Sequence, residues 1–226
     1  MYKNVKILNP KEHSFFKFKA IDNLFFVKDM NIIPIGFSEI KLLCCDFPIV
    51  IVGEENNLTL AILTGHKKNS AIDENGQWIG GDYIPAFIKR YPFIFVENPE
   101  KKTLHFGFDM ESGCFSSPEG EKLFDINGNP SKTVTTFMKF LESYGKEMQL
   151  TTNILNAIYK LNILEQAQYN IKEEGKDEEN IGGFMVFNKE KIAKLDRKSY
   201  VELAKNNWYE MIELEILSLK NIKNIR

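Results

Sequence analysis

Pro48-Ile49-Val50-Ile51-Val52-Gly53-Glu54-Glu55-Asn56-Asn57-Leu58-Thr59-Leu60-Ala61-Ile62-Leu63 is the stretch that decides the fold. Two short runs of β-branched and apolar residues enclose the polar cluster Glu54-Glu55-Asn56-Asn57. Runs of this length are too short for stable helices, and their Val and Ile content suits a pleated strand. The polar cluster supplies the turn. Neither run alternates cleanly between apolar and polar, so the hairpin is expected to be buried and central in its sheet.

Outward from it, the first half reads as strand and turn. Phe93-Ile94-Phe95-Val96 and Thr103-Leu104-His105-Phe106-Gly107-Phe108 form a second hairpin across residues 98–102, with Leu104, Phe106 and Phe108 on one face and His105 and Asp109 on the other. Leu24–Val27 is a short apolar run. Asn31–Gly36 is another, demoted to an edge by Pro34, which has no N–H to give. Ser38 is placed to cap a short helix through Leu43. The cluster Asp125-Ile126-Asn127-Gly128-Asn129-Pro130 marks a change of style.

Beyond Ser131 the pattern is mainly helical. Val134, Phe137, Met138, Leu141 and Tyr144 recur at helical spacing, and Ile154, Leu155, Ile158, Leu161 and Leu164 repeat it. Residues 172–180 read as an exposed charged loop, and Gly183–Phe187 as a late strand. Ser199 and Glu202 fit a capping box opening one long last helix with a broad apolar face. The expected fold class is α+β: a mostly antiparallel sheet, with helices from the C-terminal half packed on one face. One domain over residues 1–226 is expected, strand-rich over 1–130 and helix-rich over 131–226.

The 226 residues carry 29 Lys and Arg against 31 Asp and Glu, a net charge of −2, with the basic residues spread evenly. That argues against a nucleic-acid partner, which requires a basic concentration. The N-terminal decapeptide lacks an apolar stretch of signal length, and no window is long and apolar enough for a membrane span. The expected location is the cytoplasm; a place at the cell surface would need a signal-independent export route. Cys44 and Cys45 are adjacent and Cys114 stands alone, a set that implies reduced thiols, with the adjacent pair expected as buried small hydrophobes.

The most unusual segment is Gly76-Gln77-Trp78-Ile79-Gly80-Gly81-Asp82-Tyr83-Ile84-Pro85-Ala86-Phe87-Ile88-Lys89-Arg90-Tyr91-Pro92-Phe93. Asp82 is placed to cap a short helix with Pro85 in its first turn, and Pro92 to end it. Trp78, Tyr83 and Arg90 are candidates for a ligand-pocket wall, together with His66 at the end of a strand, because aromatic rings and one Arg suit recognition. The rival reading makes them architectural, with Trp78 in the core and Arg90 bonded to carbonyls near Pro92.

Catalytic and metal chemistry find no footing. No nucleophile elbow accompanies His13, His66 or His105, and none of the three has a close Cys or carboxylate at ligand spacing. Asp125–Gly128 starts like a calcium loop, but its glycine comes too early. No phosphate loop is present. No catalytic residue, metal site or cofactor is therefore expected.

The run from Trp78 to Phe93 resembles the central signature of the bacterial SapC family. Asp46-Phe47-Pro48-Ile49-Val50 is similar to a family strand, Leu123–Gly128 to a family turn, and Ser218-Leu219 to its terminal pattern; His13 stands where the family often has an early His. Lys89-Arg90 and the extra Gly80-Gly81 depart from the pattern. The resemblance implies a link to the bacterial surface layer, the paracrystalline protein coat of Campylobacter-type bacteria, and it transfers no catalytic residue. It points to a non-enzymatic accessory factor that acts by contact with a surface-layer or other bacterial protein. The alternative is a small-molecule or peptide-binding module in a metabolic or modification pathway. An enzyme pairing His66 or His105 with Asp109 or a cysteine is the third reading.

Overall fold

A computed structural model describes residues 1–98, 100, 102–115, 118–171 and 179–225. In chain order its strands are β1 (Val5–Ile7), β2 (Lys17–Phe18), β3 (Ile32–Ile35), β4 (Ile49–Val52), β5 (Thr59–Leu63), β6 (Phe93–Asn98), β7 (Thr103–Asp109), β8 (Glu121–Lys122), β9 (Leu164–Ile171) and β10 (Glu179–Phe187). Its α-helices are α1 (Pro10–His13), α2 (Ile40–Leu43), α3 (Ala86–Lys89), α4 (Lys132–Tyr159), α5 (Lys189–Ala193), α6 (Arg197–Lys205) and α7 (Trp208–Ser218). All strand pairings are antiparallel, and the fold class is α+β.

The chain divides into two compact units. The first comprises Met1–Val27 and Ala86–Gly145, the second Lys28–Pro85 and Lys146–Arg226. The strands accordingly form separate sheets rather than one, in the orders β1-β7-β6, β2-β8 and β3-β5-β4-β10-β9.

In the first unit, the hairpin β6–β7 takes the register Phe93↔Phe108 and Phe95↔Phe106, so these rings share a face. Phe93, Phe106 and Phe108 are buried with Leu123, Phe124, Val134 and Leu141. Phe93 lies 4.4 Å from the Phe137 ring, 5.1 Å from Phe18 and 5.2 Å from Phe106, the tilted and offset spacings that aromatic quadrupoles favour. Leu104, on the same face of the strand, is left exposed. Leu24–Val27 is not a strand: Phe25–Val27 makes a single 3-10 turn.

In the second unit, the opening hairpin sits as expected. β4 lies between β5 and β10, and Ile49, Val50 and Ile51 are fully buried. Its turn closes with the Asn57 N–H donating to the Glu54 carbonyl at 2.8 Å. β3 is the edge, as Pro34 requires.

The second half departs further from its pattern. Ser131 caps α4 by accepting the Val134 N–H, and the helix runs 28 residues. It ends at Tyr159 because Asn162 adopts a left-handed φ of 56°. Leu164, in phase with the helix, instead opens β9, where Ala167 and Tyr169 point inward on a two-residue period. β10 pairs with β9 and includes Glu179 and Asn180 of the expected loop; residues 172–178 lie outside the described residues, as do Pro99 and Lys101 of the hairpin loop. The single last helix is two: Asn207, at φ 56°, breaks it between α6 and α7. Asp196, not Ser199, is the cap of α6, its carboxylate accepting the Ser199 N–H at 2.7 Å. α7 packs on β10 and β4.

Candidate functional site

The segment Gly76–Phe93 changes unit between Pro85 and Ala86, so its candidate residues fall into separate settings. Trp78, Tyr83 and His66 belong to the second unit, and Arg90 to the first.

In the second unit, Trp78 follows a tight loop in which the Asp73 carboxylate accepts the Asn75 and Gln77 N–H groups. Its ring packs 5.7 Å from Phe47 and is half-buried rather than at the core, with the indole N–H buried and unpartnered. The two extra glycines then have a physical reason. A Cβ at Gly80 would come within 2.3 Å of Phe47 and 2.9 Å of Trp78. Gly81 has φ +90°, and a Cβ there would meet the Asp46 carboxylate at 2.5 Å. Only glycine lets the chain pass so close.

Tyr83 donates its hydroxyl to Glu39 Oε1 at 3.0 Å, and Glu39 Oε2 accepts the Gly36 N–H at 2.7 Å. Burial, and then the Glu39 carboxylate, push the Tyr83 hydroxyl up to about 12. Glu39 itself is buried. The neighbouring N–H groups of Phe37 and Ser38 are taken by Thr151 and Glu147 at 2.8 Å each, so the start of this helical turn is capped by three side chains and not by Ser38. Beside Tyr83 an open cleft of about 510 Å³ is lined by Lys41, Leu42, Asp46, Gly81, Asp82 and Tyr83.

His66 stands with another set. Its Nδ1 lies 2.9 Å from Glu179 Oε2, and Lys67 Nζ lies 2.6 Å from Glu179 Oε1. Asn31 also donates its side-chain amide to the His66 carbonyl. The acid beside His66 thus lies in the run that the sequence pattern presents as an exposed charged loop.

In the first unit, Arg90 is placed over aromatic rings, the setting that the described residues give it in place of the expected carbonyls near Pro92. Its guanidinium lies 4.4 Å from the Phe87 ring centroid, 5.1 Å from Tyr144 and 5.6 Å from Tyr2, and its Nε is buried without a partner. The helix after Pro85 begins at Ala86, leaving Asp82 outside it. Tyr91 stacks on Phe26 at 4.0 Å and donates its hydroxyl to Asp109 Oδ2 at 3.0 Å. Tyr2 donates to the Phe93 carbonyl at 2.8 Å; burial pushes its hydroxyl up to about 12.

Asp109 gathers this arrangement. It is fully buried, and its oxygens also accept the Lys3, Asn4 and Glu111 N–H groups at 3.0, 2.9 and 3.2 Å. Burial alone would raise its carboxyl, but these backbone donors and Tyr91 outweigh it and hold the group below its ordinary value. With its acceptor positions filled, Asp109 has little capacity left to orient His105, whose Nε2 instead lies 3.1 Å from Thr103 Oγ1.

The other motif residues have structural partners too. His13 is buried, its Nδ1 accepting the Asn9 N–H at 3.0 Å and its ring edge-on to Phe108. Asp125 accepts the Asn127 and Asn129 N–H groups, which makes Asp125–Asn129 a turn. Cys44 and Cys114 are buried, but Cys45 is exposed, against the expectation for the adjacent pair. Among the described residues no cluster of three His, Cys, Asp or Glu side chains is placed to hold a metal ion, and no helix is long and apolar enough to cross a membrane.

Sequence reading missed Glu39 and Glu179. Glu39 had a local signal, since it falls three residues after Gly36, where a carboxylate can reach back to a helix-start N–H. Glu179 had none, because its partner is more than a hundred residues away. No curated protein and no solved structure matches the chain. The family model described as SapC matches residues 8–225, nearly the whole chain, and the protein belongs to the SapC family.

Proposed function

We propose that this protein is a non-enzymatic accessory factor of bacterial surface-layer biology, acting through protein–protein contacts. Membership of the SapC family over residues 8–225 supports the reading, since the family takes its name from that system. The observation that carries the non-enzymatic part is how the family signature is used. Tyr83 bonds to Glu39, Tyr91 bonds to Asp109, and Arg90 lies among three rings, so these side chains brace the fold. The test is in vivo cross-linking and recovery of surface-layer subunits, together with electron microscopy of the array in a deletion strain. Cross-links to a lattice or export component and a disordered array are expected. An intact array without such cross-links would sink the reading.

A second reading, a small-molecule or peptide-binding module, has one observation in its favour. The cleft beside Tyr83 places the Asp46 and Asp82 carboxylates near the exposed side chain of Leu42, a surface suited to a cationic ligand with an apolar portion. Thermal-shift screening with cationic metabolites and basic peptides tests it. Stabilisation by such a ligand that is lost in the double variant Asp46→Asn, Asp82→Asn is expected. The same stabilisation in that variant would remove the reading.

A further inference from the structure

Three polar residues lie buried along the C-terminal helical segment at three-residue intervals: Glu215, Ser218 and Asn221. This spacing puts them along one side of the helix. Two are fully used. Ser218 Oγ accepts the Ile49 N–H at 2.8 Å and donates to the Glu215 carbonyl at 2.6 Å. Asn221 donates its amide to the Cys44 carbonyl at 3.0 Å. These bonds tie the segment to the start of β4 and the end of α2, and neither involves an ionisable group.

Glu215 is different. It has no exposed surface, and neither carboxylate oxygen has a hydrogen-bond partner among the described residues. Among the described residues no cation is paired with it: α6 carries Arg197, Lys198, Glu202 and Lys205 and the turn after α7 carries Lys220 and Lys223, all exposed and none in an ion pair with Glu215. β4 is Ile49-Val50-Ile51-Val52. β10 offers the Phe187 backbone N–H, which favours the charged form without meeting either oxygen in hydrogen-bond geometry. From β9 come the Tyr169 hydroxyl, pushed up by burial and then by Glu215, and Glu165, which acts on Tyr169 in the same sense. α2 contributes Lys41, but that side chain is exposed and paired with Glu210 of α7 at 2.8 Å; its Cys44 is neutral and bonded within its own turn. The remaining acid of α7, Glu213, adds only negative charge. A carboxylate in such a place is strongly disfavoured against the neutral acid.

We propose that the segment from Trp208 to Asn224 is a pH-sensitive latch, docked while Glu215 is protonated and loosened when Glu215 ionises. The sign follows from burial. An unfolded glutamate titrates near 4.5, and burial places the docked group well above that. The docked state is therefore fully favoured below the unfolded value. It loses ground as pH rises toward the docked value, because only the released segment gives up its proton. Across that window the ratio of released to docked segment grows by roughly tenfold per pH unit. Ser218 and Asn221 carry no ionisable group, so their bonds favour the docked segment and fix its register without adding to its pH dependence.

The test is amide hydrogen exchange of residues 208–225 in the full chain, from about pH 6 to about pH 9, corrected for the intrinsic pH dependence of exchange. The wild type is expected to lose protection in this segment as pH rises, while the amides of β4 and β5 hold theirs. E215Q is expected to show no such slope, and Tyr169→Phe to keep it. An infrared band of a protonated carboxyl at neutral pH, absent in E215Q, is the second readout. If E215Q does not fold, E215L replaces it, since an apolar residue suits the same surroundings. A wild type with flat protection, an E215Q or E215L variant with the wild-type slope, or the absence of the protonated band would each overturn the proposal.

Discussion

Replacing Asp109 by Asn isolates the clasp that holds the N-terminal segment of the first unit. The carboxylate oxygens divide their work: Oδ1 accepts the Asn4 and Glu111 N–H groups, and Oδ2 accepts the Lys3 N–H and the Tyr91 hydroxyl. Asn keeps one acceptor oxygen and puts an NH2 donor in place of the other. The two bonds to that oxygen are disrupted: at Oδ2 the new NH2 meets the Lys3 backbone N–H, which can only donate, and the Tyr91 hydroxyl, which must turn to accept. Bonds to a charged acceptor contribute at least about 1.5 kcal/mol each, so Asp109→Asn should cost about 3 kcal/mol. The assay is hydrogen exchange at residues 3–8 and 103–109, with chemical denaturation followed by tryptophan fluorescence as control. Both tryptophans, Trp78 and Trp208, belong to the second unit, so fluorescence reports that unit and should move little. The pH dependence supplies an independent check. The carboxyl is held below its ordinary value of 3.8, so its contribution is present above that pH and is lost as pH falls through the lower folded value. Asp109→Asn should remove this acid sensitivity from the first unit. A loss below about 0.5 kcal/mol, the size of an ordinary surface substitution, would refute the clasp.

Three further outcomes are expected. Phe93→Ala empties a fully buried site among the Phe18, Phe106 and Phe137 rings and should cost about 3–5 kcal/mol by calorimetry of the first unit's transition. Glu147→Ala leaves the Ser38 N–H without its acceptor and should cost about 1 kcal/mol, read by denaturation of the second unit; no change would mean that water replaces the carboxylate without loss. Gly81→Ala forces a side chain onto a left-handed backbone against Asp46 and should cost about 1–2 kcal/mol, partly recovered by adding Asp46→Ala; an unrecovered loss would assign the whole effect to backbone strain.

Local pattern carried the fold wherever local chemistry decided it. The hairpin around Glu54–Asn57 was legible because β-branched runs flank a polar turn, and the edge position of β3 because Pro34 lacks a donor. The division into separate sheets was not legible, since strand patterns do not say which strands share a sheet. β9 was hidden because Leu164 continues the helical phase of Ile154–Leu161, while the end of the helix depends on one left-handed asparagine. Asn207 hid the break in the last helix in the same way. At the candidate site, the aromatic residues and Arg90 were visible by composition. Their partners were not: Tyr83 and Glu39 are 44 residues apart, and Asp109 and Lys3 are 106 apart. Pairings of that reach leave no trace in a short window.

The two tyrosines of the family signature use one device. Tyr83 donates to Glu39, and Glu39 accepts the Gly36 N–H; Tyr91 donates to Asp109, and Asp109 accepts the Lys3 and Asn4 N–H groups. In each unit a buried carboxylate is satisfied by one signature hydroxyl and by backbone N–H groups, local for Glu39 and remote for Asp109. A buried carboxylate is tolerated only with such donors, so each tyrosine makes a polar anchor affordable in an apolar setting. This accounts for the density of Tyr, Trp and Arg between Trp78 and Phe93 without a reaction. The segment must supply donors and ring surface to both units on either side of the Pro85–Ala86 junction, and small or aliphatic residues offer neither. Glu215 shows the opposite case. No signature hydroxyl reaches it and its oxygens stay unpaired, so a carboxyl of the same chemistry becomes a group whose protonation the docking of α7 depends on, rather than an anchor.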